Sequence, residues 1–479
     1  MAKTNFLSVD LGATSGRTIL STFDGTKVEM RELTRFKHPQ VPISGHIFWD
    51  LPHLFNEIIT SLKKVAAEGI EINSIGIDTW GVDFAFFGRD GQLLGLPHCY
   101  RDQYTNGSME RFFNESMPSK EVYDRTGIQF MEFNSLFQMD CLRREGCTAF
   151  EQADKILFMP DALIYMLTGK AICEYTIAST SQILNPNTGD LDEALLGKLG
   201  LSRDKFGVMT QPGTVVGPIS EQVQKVTGLG PVNVVAVAGH DTASAVVSVP
   251  AKNSEFAYLS CGTWSLLGIE SPKPIISEAS FANNFTNEGG VDGTTRFLKN
   301  ICGLWIFERS REEFYKDPVR FPGAPEGVAE LSATCQESDY AGIINPDDPA
   351  FANPESMTAA ICEYCRRTGQ PEPQTVADYC RCIFRSLACR YKEIIALLSS
   401  MCGFEIKSLN VIGGGSLNRN LMQFAADECG IPVICGPTEG TALGNALLQI
   451  RAAGLVDSLW DMRKISAASV DLKVYERQA

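Results

Sequence analysis

Apolar and polar positions near the N-terminus predict a β-hairpin at Asn5–Thr22. The apolar run Phe6–Val9 predicts a strand, the small residues of Leu11–Gly16 predict a tight turn, and Thr18–Thr22 predicts the returning strand. A stretch of the same form recurs at Phe256–Glu270, where apolar runs flank a turn of small and hydroxyl residues. Two similar hairpins about half a chain apart indicate a duplicated architecture.

The rest of the pattern alternates between helical and extended segments. Apolar residues at helical spacing predict helices, listed here by number: 51–68, 109–114, 133–144, 160–168, 375–401 and one from 418. Apolar-rich stretches predict strands at 28–36, 72–87, 234–238 and 409–412, with a turn at 89–92 closing a hairpin, a loop at 38–47, and loop with a short strand at 174–191. Segment 283–305 leads into a predicted amphipathic helix that presents Asn300 and Glu308.

Length and local composition predict two lobes. A chain of 479 residues exceeds one ordinary domain, and Pro250 followed by the polar segment Lys252–Glu255 suggests a boundary. We therefore expect an N-terminal lobe over residues 1–249, containing the first hairpin, and a C-terminal lobe over residues 250–479, containing the second.

Charge and cysteine content narrow the functional class. A net charge of −15 disfavours binding to nucleic-acid phosphates or to anionic membrane surfaces. Asp10 stops the first apolar run too early for a secretory signal, and no stretch resembles a membrane span. The fifteen cysteines form an odd set without a secretory context, which predicts reduced thiols rather than a disulfide framework. We expect a cytoplasmic protein that acts on a small molecule.

The first hairpin carries candidate phosphate-binding chemistry. Asp10 ends the first strand, and Gly12, Thr14, Ser15 and Gly16 fill the turn. Successive backbone N–H groups in such a turn can bind an anion, and a neighbouring carboxylate can hold Mg²⁺ directly or through water. The alternative is a hairpin whose glycines serve the turn alone.

A second candidate centre lies where an apolar strand gives way to a helix at Gly239. Asp241 then follows His240 and precedes Thr242. An aspartate at a helix start is commonly an N-cap, which stabilises the helix by about 1 kcal/mol. The other interpretation is that Asp241 faces a ligand as a general base. The local pattern does not choose between them.

Further polar groups interrupt apolar strands. Asp78 and Asp83 flank Trp80 and Gly81 and suggest a sugar-binding wall, with salt-bridged strand-end aspartates as the alternative. The glycine triplet 413–415 suggests a nucleotide or sugar-phosphate contact, or a plain strand-to-helix turn. It is not a dinucleotide-binding fingerprint, because Asn418 stands where the third glycine is required. No Walker A sequence is present.

Taken together, these motifs make the chain similar to the FGGY carbohydrate kinases. The resemblance covers nearly the whole chain and rests on the following stretches: DLGATSGR at Asp10–Arg17, IDTWGVDF at Ile77–Phe84, LPHCYRD at Leu96–Asp102, TGIQF at Thr126–Phe130, GHDTASAV at Gly239–Val246, YLSCGTWSL at Tyr258–Leu266, NEGG at Asn287–Gly290, LKNICGLW at Leu298–Trp305 and VIGGG at Val411–Gly415.

The resemblance implies an α/β fold of the two-lobed actin-like (ribonuclease H-like) ATPase type, with the active site in the interdomain cleft. It implies ATP- and Mg²⁺-dependent phosphorylation of the C1 hydroxyl of L-rhamnulose, with Asp241 as general base and Asp10 toward the metal. The implied ATP contacts are Ala13, Thr14, Ser15, Gly16, Arg17, Thr263, Gly414 and Glu308. The implied sugar contacts are Gly81, His240, Asp241, Thr242 and Asn300. The family has a glutamine where Glu308 stands, and a carboxylate cannot donate an amide hydrogen bond.

Two other functions stay open at this point. The chain could phosphorylate a related ketose such as L-fuculose or L-xylulose, because the orientation of one hydroxyl is recognised by site geometry that a sequence does not give. It could also be a catalytically silent sugar- or nucleotide-binding protein on the same fold. The expected assembly is a monomer or a homodimer.

Overall fold

The structure is a computed structural model that describes residues 3–478. The chain forms two compact units. Unit 1 contains the chain up to Ser248 together with Glu270–Phe297 and Gly440–Ser469. Unit 2 contains Val249–Ile269, Leu298–Glu439 and the chain from Val470 onward. The compact units therefore interleave along the sequence, and a domain boundary at residues 249/250 stays a prediction.

The strands are β1 Thr4–Leu11, β2 Ser15–Phe23, β3 Val28–Lys37, β4 Gln40–Ile43, β5 His46–Trp49, β6 Ser74–Thr79, β7 Phe84–Phe87, β8 Lys155–Phe158, β9 Ile172–Glu174, β10 Leu184–Asn185, β11 Asp190–Leu191, β12 Val208–Thr210, β13 Thr214–Pro218, β14 Asn233–Ala236, β15 Phe256–Cys261, β16 Trp264–Ser271, β17 Thr286–Gly289, β18 Thr295–Cys302, β19 Ser408–Ile412, β20 Val433–Cys435 and β21 Lys473–Tyr475.

The α-helices are α1 Leu51–Ala67, α2 Ser108–Glu115, α3 Ser119–Thr126, α4 Ser135–Arg144, α5 Thr148–Gln152, α6 Met159–Thr168, α7 Tyr175–Ser179, α8 Glu193–Leu199, α9 Glu221–Thr227, α10 Asp241–Val247, α11 Glu278–Ala282, α12 Trp305–Lys316, α13 Val328–Ala333, α14 Met357–Arg367, α15 Val376–Cys402, α16 Arg419–Cys429, α17 Gly440–Ala452 and α18 Leu459–Ser469. None of the helices in the described part of the chain has the length and apolar character that crossing a bilayer requires.

Unit 1 is organised around a mixed sheet with the strand order β13-β14-β6-β1-β2-β3. Strands β1, β6 and β14 run parallel, whereas β2 returns antiparallel to β1. The carboxyl ends of the three parallel strands therefore share one edge, which is where α/β sheets usually place their ligands. Helix α1 starts with Asp50 capping the backbone N–H of His53 and buries its apolar stripe in the core of this unit.

Unit 2 repeats this plan with its own strands. Strands β18, β16, β15, β19, β20 and β21 follow one another across its sheet. The hairpin β15–β16 is antiparallel, and β15, β19 and β20 are parallel. Each unit thus has an antiparallel hairpin that leads into parallel strands. The duplicated architecture expected from the two hairpins is confirmed.

Most predicted elements are confirmed. The helix predicted at 375–401 is α15, which begins with a capping box between Thr375 and Asp378 and ends at Gly403 in the left-handed conformation. All fifteen cysteines are free thiols.

Several element predictions are wrong. Asn300 lies in strand β18 rather than on a helix, and only Glu308 belongs to the helix that follows. The predicted loop 38–47 contains the hairpin β4–β5. Residues 174–191, predicted as loop with a short strand, contain the short strands β10 and β11 but also helix α7, which was not predicted. The predicted turn at 89–92 does close a short antiparallel bridge between Phe87 and Leu93, but the main partner of β7 is β8.

Candidate functional site

The first hairpin places Asp10 at the carboxyl end of β1. Asp10 and Arg17 are register partners across the hairpin, and the Arg17 Nε and Nη2 groups donate to Asp10 Oδ2 at 3.0 and 2.8 Å. The turn between them is short, with the Gly12 N–H donating to the Ser15 carbonyl. A Cβ at Gly16 would lie 2.4 Å from the Phe36 ring, so packing requires that glycine. A Cβ at Gly12 would meet nothing closer than 3.6 Å.

Asp78 lies beside Asp10 on the adjacent parallel strand. The two residues are register partners, so their side chains lie on the same face of the sheet. Asp78 is fully buried and accepts from Asn445 Nδ2 at 2.6 Å, while its Oδ1 atom has no hydrogen-bond partner. Burial, and then repulsion from Asp10 and Asp241, raises the pKa of Asp78 well above its usual range. Three carboxyl groups therefore interact at this sheet edge.

Asp241 opens helix α10 directly after the third parallel strand. The N-cap position belongs to His240, and the side chain of Asp241 is 29% exposed instead of capping backbone N–H groups. Thr242 Oγ1 donates to Asp241 Oδ1 at 3.0 Å. Burial raises the pKa of Asp241, the nearby His240 opposes that shift, and Asp10 adds to it. The structure thus contradicts the capping interpretation and leaves the Asp241 carboxylate available to a ligand.

The Nδ1 side of His240 contacts a buried ion pair, Glu288 and Arg296, that the sequence did not predict. Its Nδ1 atom lies 3.1 Å from Arg296 Nη2 and 3.3 Å from Glu288 Oε2, and its Nε2 atom lies 3.5 Å from Asp241 Oδ1. Arg296 is fully buried and also donates to the Gly289 carbonyl. Burial opposes ionisation of Glu288, but Arg296 and His240 outweigh it and lower the pKa of Glu288.

Glu174 anchors the segment just before His240. Its carboxylate accepts from the N–H groups of Thr176, Ile177 and Gly239, and from Thr176 Oγ1 at 2.7 Å. One side chain therefore caps helix α7 and fixes the backbone that leads to the Asp241 segment. Sequence reasoning missed Glu174 because it lay in a tract predicted to be loop; the one available signal was a Glu at the end of an apolar strand.

Asp83, which was expected to form part of a sugar-binding wall, is instead bound by neighbouring side chains of the protein. Asp83 is buried and accepts from the indole N–H groups of Trp49 and Trp80 at 2.6 and 2.9 Å, and from Gln138 at 2.9 Å. Burial raises the pKa of Asp83 to about 6, against these hydrogen bonds. Asp83 thus orders two indoles, so neither the sugar-contact nor the salt-bridge interpretation describes its contacts.

Gly81 is partly buried at the turn between β6 and β7. A Cβ there would lie 3.1 Å from Thr180 Oγ1, which also accepts the Val82 N–H at 3.0 Å. Val82 itself has a φ of 68°, a strained value for a β-branched residue. The backbone around Gly81 is therefore held in an unusual conformation by helix α7, and strain of this kind concentrates at ligand sites.

In unit 2, the second hairpin exposes Thr263 at its tip. The Thr263 carbonyl accepts from the N–H groups of Gly303 and Trp305 at 3.1 and 3.2 Å. A Cβ at Gly303 would lie 2.6 Å from the backbone of Trp264, so only glycine permits this approach. The start of helix α12 thus fixes the hairpin tip while the Thr263 side chain stays exposed.

The glycine triplet after β19 divides into three different roles. Gly413 has a φ of 85°, which favours glycine, and a Cβ at Gly415 would lie 2.3 Å from Cys261 Sγ. At Gly414, by contrast, a Cβ would meet nothing within 4 Å, and the backbone needs no positive φ. The protein itself gives no reason for glycine at Gly414. An open face beside a strand end is what a ligand needs for close approach.

The remaining two predicted ligand contacts are Asn300 and Glu308, which lie close together in the sequence. Asn300 is partly buried in β18. Glu308 lies in the first turn of α12, where its carboxylate pairs with Arg311 on the same helix. That pair engages Oε2 of Glu308, and an ionised carboxylate has no hydrogen to donate to a nucleotide.

Comparisons with known proteins identify the family. The model of the N-terminal domain of the FGGY family of carbohydrate kinases matches residues 5–248, and the model of its C-terminal domain matches residues 257–453. The chain is 50% identical over 476 residues to the rhamnulokinase of Bacteroides thetaiotaomicron, covering 99% of this chain and 96% of that protein. It is 42% identical to the rhamnulokinase of Pectobacterium carotovorum subsp. carotovorum, covering 100% and 94%.

Solved structures share the fold at lower identity. The gluconate kinase from Lactobacillus acidophilus matches with a TM-score of 0.82 at 17% identity, covering 100% of this chain and 94% of that one. The glycerol kinase of Plasmodium falciparum, solved with ADP, matches with a TM-score of 0.80 at 17% identity, covering 99% and 94%. The chain belongs to the FGGY family of carbohydrate kinases and has its two-domain α/β fold.

Proposed function

We propose that this protein transfers the γ-phosphoryl group of ATP to the C1 hydroxyl of L-rhamnulose, giving L-rhamnulose 1-phosphate and ADP. The observation that carries the proposal is the gathering of Asp10, Asp78 and Asp241 at one sheet edge, with Asp241 accessible. Family membership supports the phosphoryl transfer, and the names of the relatives at 50% and 42% identity support the sugar.

Asp241 is the proposed general base. Its carboxylate accepts the proton of the attacking hydroxyl as the oxygen–phosphorus bond forms, a role that contributes about 10²–10⁴-fold in rate. The upward shift of the pKa of Asp241 makes the ionised group a stronger base than an exposed aspartate. Thr242 and His240 lie against the same carboxylate oxygen and orient it.

The turn Ala13–Arg17 is the proposed phosphate contact in unit 1. Arg17 donates to Asp10 through Nε and Nη2, so the hairpin places a guanidinium, a group that binds phosphate well, beside the proposed phosphate contact. The buried Asp78 Oδ1 without a partner, and the repulsion among three carboxyl groups, fit a divalent cation whose charge would offset both. Mg²⁺ held toward Asp10, directly or through water, would neutralise charge on the phosphates.

The proposed sugar contacts in unit 1 are Gly81, His240, Asp241 and Thr242. His240 is well suited to a sugar hydroxyl, because the buried pair of Glu288 and Arg296 fixes its ring. The strained backbone at Gly81 is held by Thr180 in a single conformation. A binding group with restricted motion loses little entropy when the sugar binds.

In unit 2 the proposed contacts are Asn300 for the sugar and Thr263, Gly414 and Glu308 for the nucleotide. The open face at Gly414 supports this assignment most directly. A cavity of about 240 Å³ is lined by residues that include Pro437 and also Ser416 and Leu417, which follow the triplet in the sequence. Glu308 is the weakest member of the set, since its carboxylate is paired with Arg311.

A coupled ADP-release assay tests the substrate. With Mg-ATP present, we expect L-rhamnulose to give the highest kcat/KM in a panel that includes L-fuculose, L-xylulose and glycerol. A higher value for another ketose would overturn the sugar assignment and leave the kinase assignment intact. Absence of ADP release with every sugar, from protein shown to be folded, would leave only a binding function.

A further inference from the structure

A group of three potential metal ligands lies in unit 1 at His46, His98 and Asp102, outside the proposed phosphoryl-transfer residues. Each offers one ligand atom, and the three atoms all lie within 4.8 Å of one another. They come from the start of β5, from the segment after β7 and from the N-cap of a short 3₁₀ turn. The motif Leu96–Asp102 that carries two of them has no other assigned chemistry.

The distances suit direct coordination. Asp102 Oδ2 lies 3.1 Å from His46 Nδ1 and 3.6 Å from His98 Nδ1. Ligands at about 2.0–2.1 Å from a tetrahedral ion lie about 3.3 Å from one another. The two distances from Asp102 Oδ2 are thus within about 0.3 Å of this value, and all three ligand atoms lie within 4.8 Å of one another.

One ligand atom has no other role. His98 Nδ1 is buried and has no hydrogen-bond partner, which is costly unless something occupies its lone pair. His46 is 37% exposed, so the group is accessible from solvent.

The supporting contacts are those of a pre-organised site. Asp102 Oδ2 also accepts the Ile47 N–H at 2.7 Å, and Asp102 Oδ1 accepts the Tyr104 N–H at 3.1 Å. The His98 ring packs on Phe48 and Tyr104, with centroids 4.5 and 4.6 Å away. Such outer contacts orient metal ligands and commonly change metal affinity by about 10–100-fold.

We propose that His46, His98 and Asp102 bind a transition-metal dication such as Zn²⁺. Two imidazoles and one carboxylate prefer this class over Mg²⁺, which favours oxygen ligands. The bound ion crosslinks the β4–β5 hairpin to the segment that carries Tyr100 and Asp102. Because Tyr100 donates its backbone N–H to Asp83, the site stabilises the wall around the two indoles.

Histidine NMR tests the proposal on the wild-type protein. The chain has five histidines, so ¹⁵N-histidine labelling gives five pairs of ring-nitrogen signals, which His→Gln variants assign. Zn²⁺ is added to one equivalent in the presence of excess Mg²⁺, which occupies the carboxylate site. We expect the rings of His46 and His98 to shift, with those of His38, His53 and His240 unchanged. Unchanged His46 and His98 signals would overturn the proposal.

Affinity and stability provide the second readout. Co²⁺ titrated in excess Mg²⁺ should bind wild type and the control variant His53→Gln with the visible spectrum of nitrogen and oxygen ligands, and should raise the Tm of both. His46→Gln and His98→Gln should each bind at least tenfold more weakly. Equal affinity in wild type and His46→Gln, or a sulfur-to-cobalt charge-transfer band at the first equivalent, would contradict the assignment. Neither result bears on the phosphoryl-transfer proposal.

Discussion

At the scale of single residues, the carboxyl groups of unit 1 divide by what surrounds them. Asp241 is partly exposed and keeps an accessible oxygen, whereas Asp78 is fully buried with one unpartnered oxygen. Asp83 is also buried, but its carboxylate accepts hydrogen bonds from indole and amide groups. The same residue type therefore serves as a candidate base, a candidate charge partner for a cation and a structural acceptor.

Glu288→Gln tests the support behind His240. The neutral amide cannot compensate the positive charge of the buried Arg296, so the His240 ring loses its fixed position. We expect the KM for the ketose to rise about tenfold, equal to about 1.4 kcal/mol, while the KM for ATP stays unchanged. Glu278→Gln is the matched control, because its side chain is 82% exposed. Equal changes in both KM values would show a general structural defect instead.

At the scale of elements, helix position depends on close backbone approach. Helix α10 carries Asp241 at its first turn and packs against α17. A Cβ at Gly444 of α17 would lie 1.7 Å from the Ser244 carbonyl of α10, so only glycine permits this spacing. Asn445, the next residue, donates to Asp78. The contact of these two helices thus positions two of the three carboxyl groups.

Gly444→Ala should therefore displace α10. We expect a loss of stability of about 1–3 kcal/mol or more, with a fall in kcat, because the Asp241 carboxylate moves with its helix. Gly197→Ala is the control, since a Cβ at Gly197 in helix α8 meets nothing within 4 Å. That substitution should stabilise the protein by about 0.5–1 kcal/mol. Urea unfolding and initial rates measure both; similar behaviour of the two variants would refute the packing argument.

At the scale of the whole molecule, buried acids link stability to pH. Asp161 is fully buried, and burial followed by repulsion from Glu174 raises its pKa well above the usual range. The folded protein thus keeps a proton that the unfolded chain releases above about pH 3.9. Stability from this group is complete at low pH and falls as pH rises toward the raised pKa.

Asp161→Asn removes that linkage while keeping an oxygen for the Glu174 backbone N–H. We expect the variant to lose less stability than wild type between about pH 5 and 7, because asparagine has no proton to release. Urea midpoints at the two pH values measure the difference. Asp204→Asn is the exposed control and should keep the wild-type slope over this range, since its pKa is lowered rather than raised. Equal slopes for wild type and Asp161→Asn would contradict the argument.

Sequence patterns predicted what depends on local order. The two hairpins, the capped helix α15 and the strand-to-helix turn at Gly239 follow from apolar runs and breakers close together in the chain. The support of the site was not predictable in this way. Arg296 and His240 are 56 residues apart, and Glu174 and Gly239 are 65 apart. Such pairs meet only through the fold, and neither residue's own neighbourhood indicates the contact.

The glycines show the same limit in another form. Gly16 lies at the start of β2, and Gly414 and Gly415 follow β19; all three belong to motifs that suggest phosphate contacts. Only the structure shows that Gly16 and Gly415 make room for Phe36 and Cys261, whereas Gly414 faces open space. A single sequence gives the residue type, whereas the reason for a glycine depends on which atoms from other parts of the chain lie next to it.

The most direct test of the central claim compares wild type with Asp241→Asn. Calorimetry measures L-rhamnulose binding, and ADP release in the presence of Mg-ATP measures turnover. Because asparagine keeps the size and one acceptor but cannot take a proton, sugar affinity should be retained while kcat falls by about 10²–10⁴-fold. Turnover near the wild-type rate in the variant would contradict the assignment of Asp241 as the base.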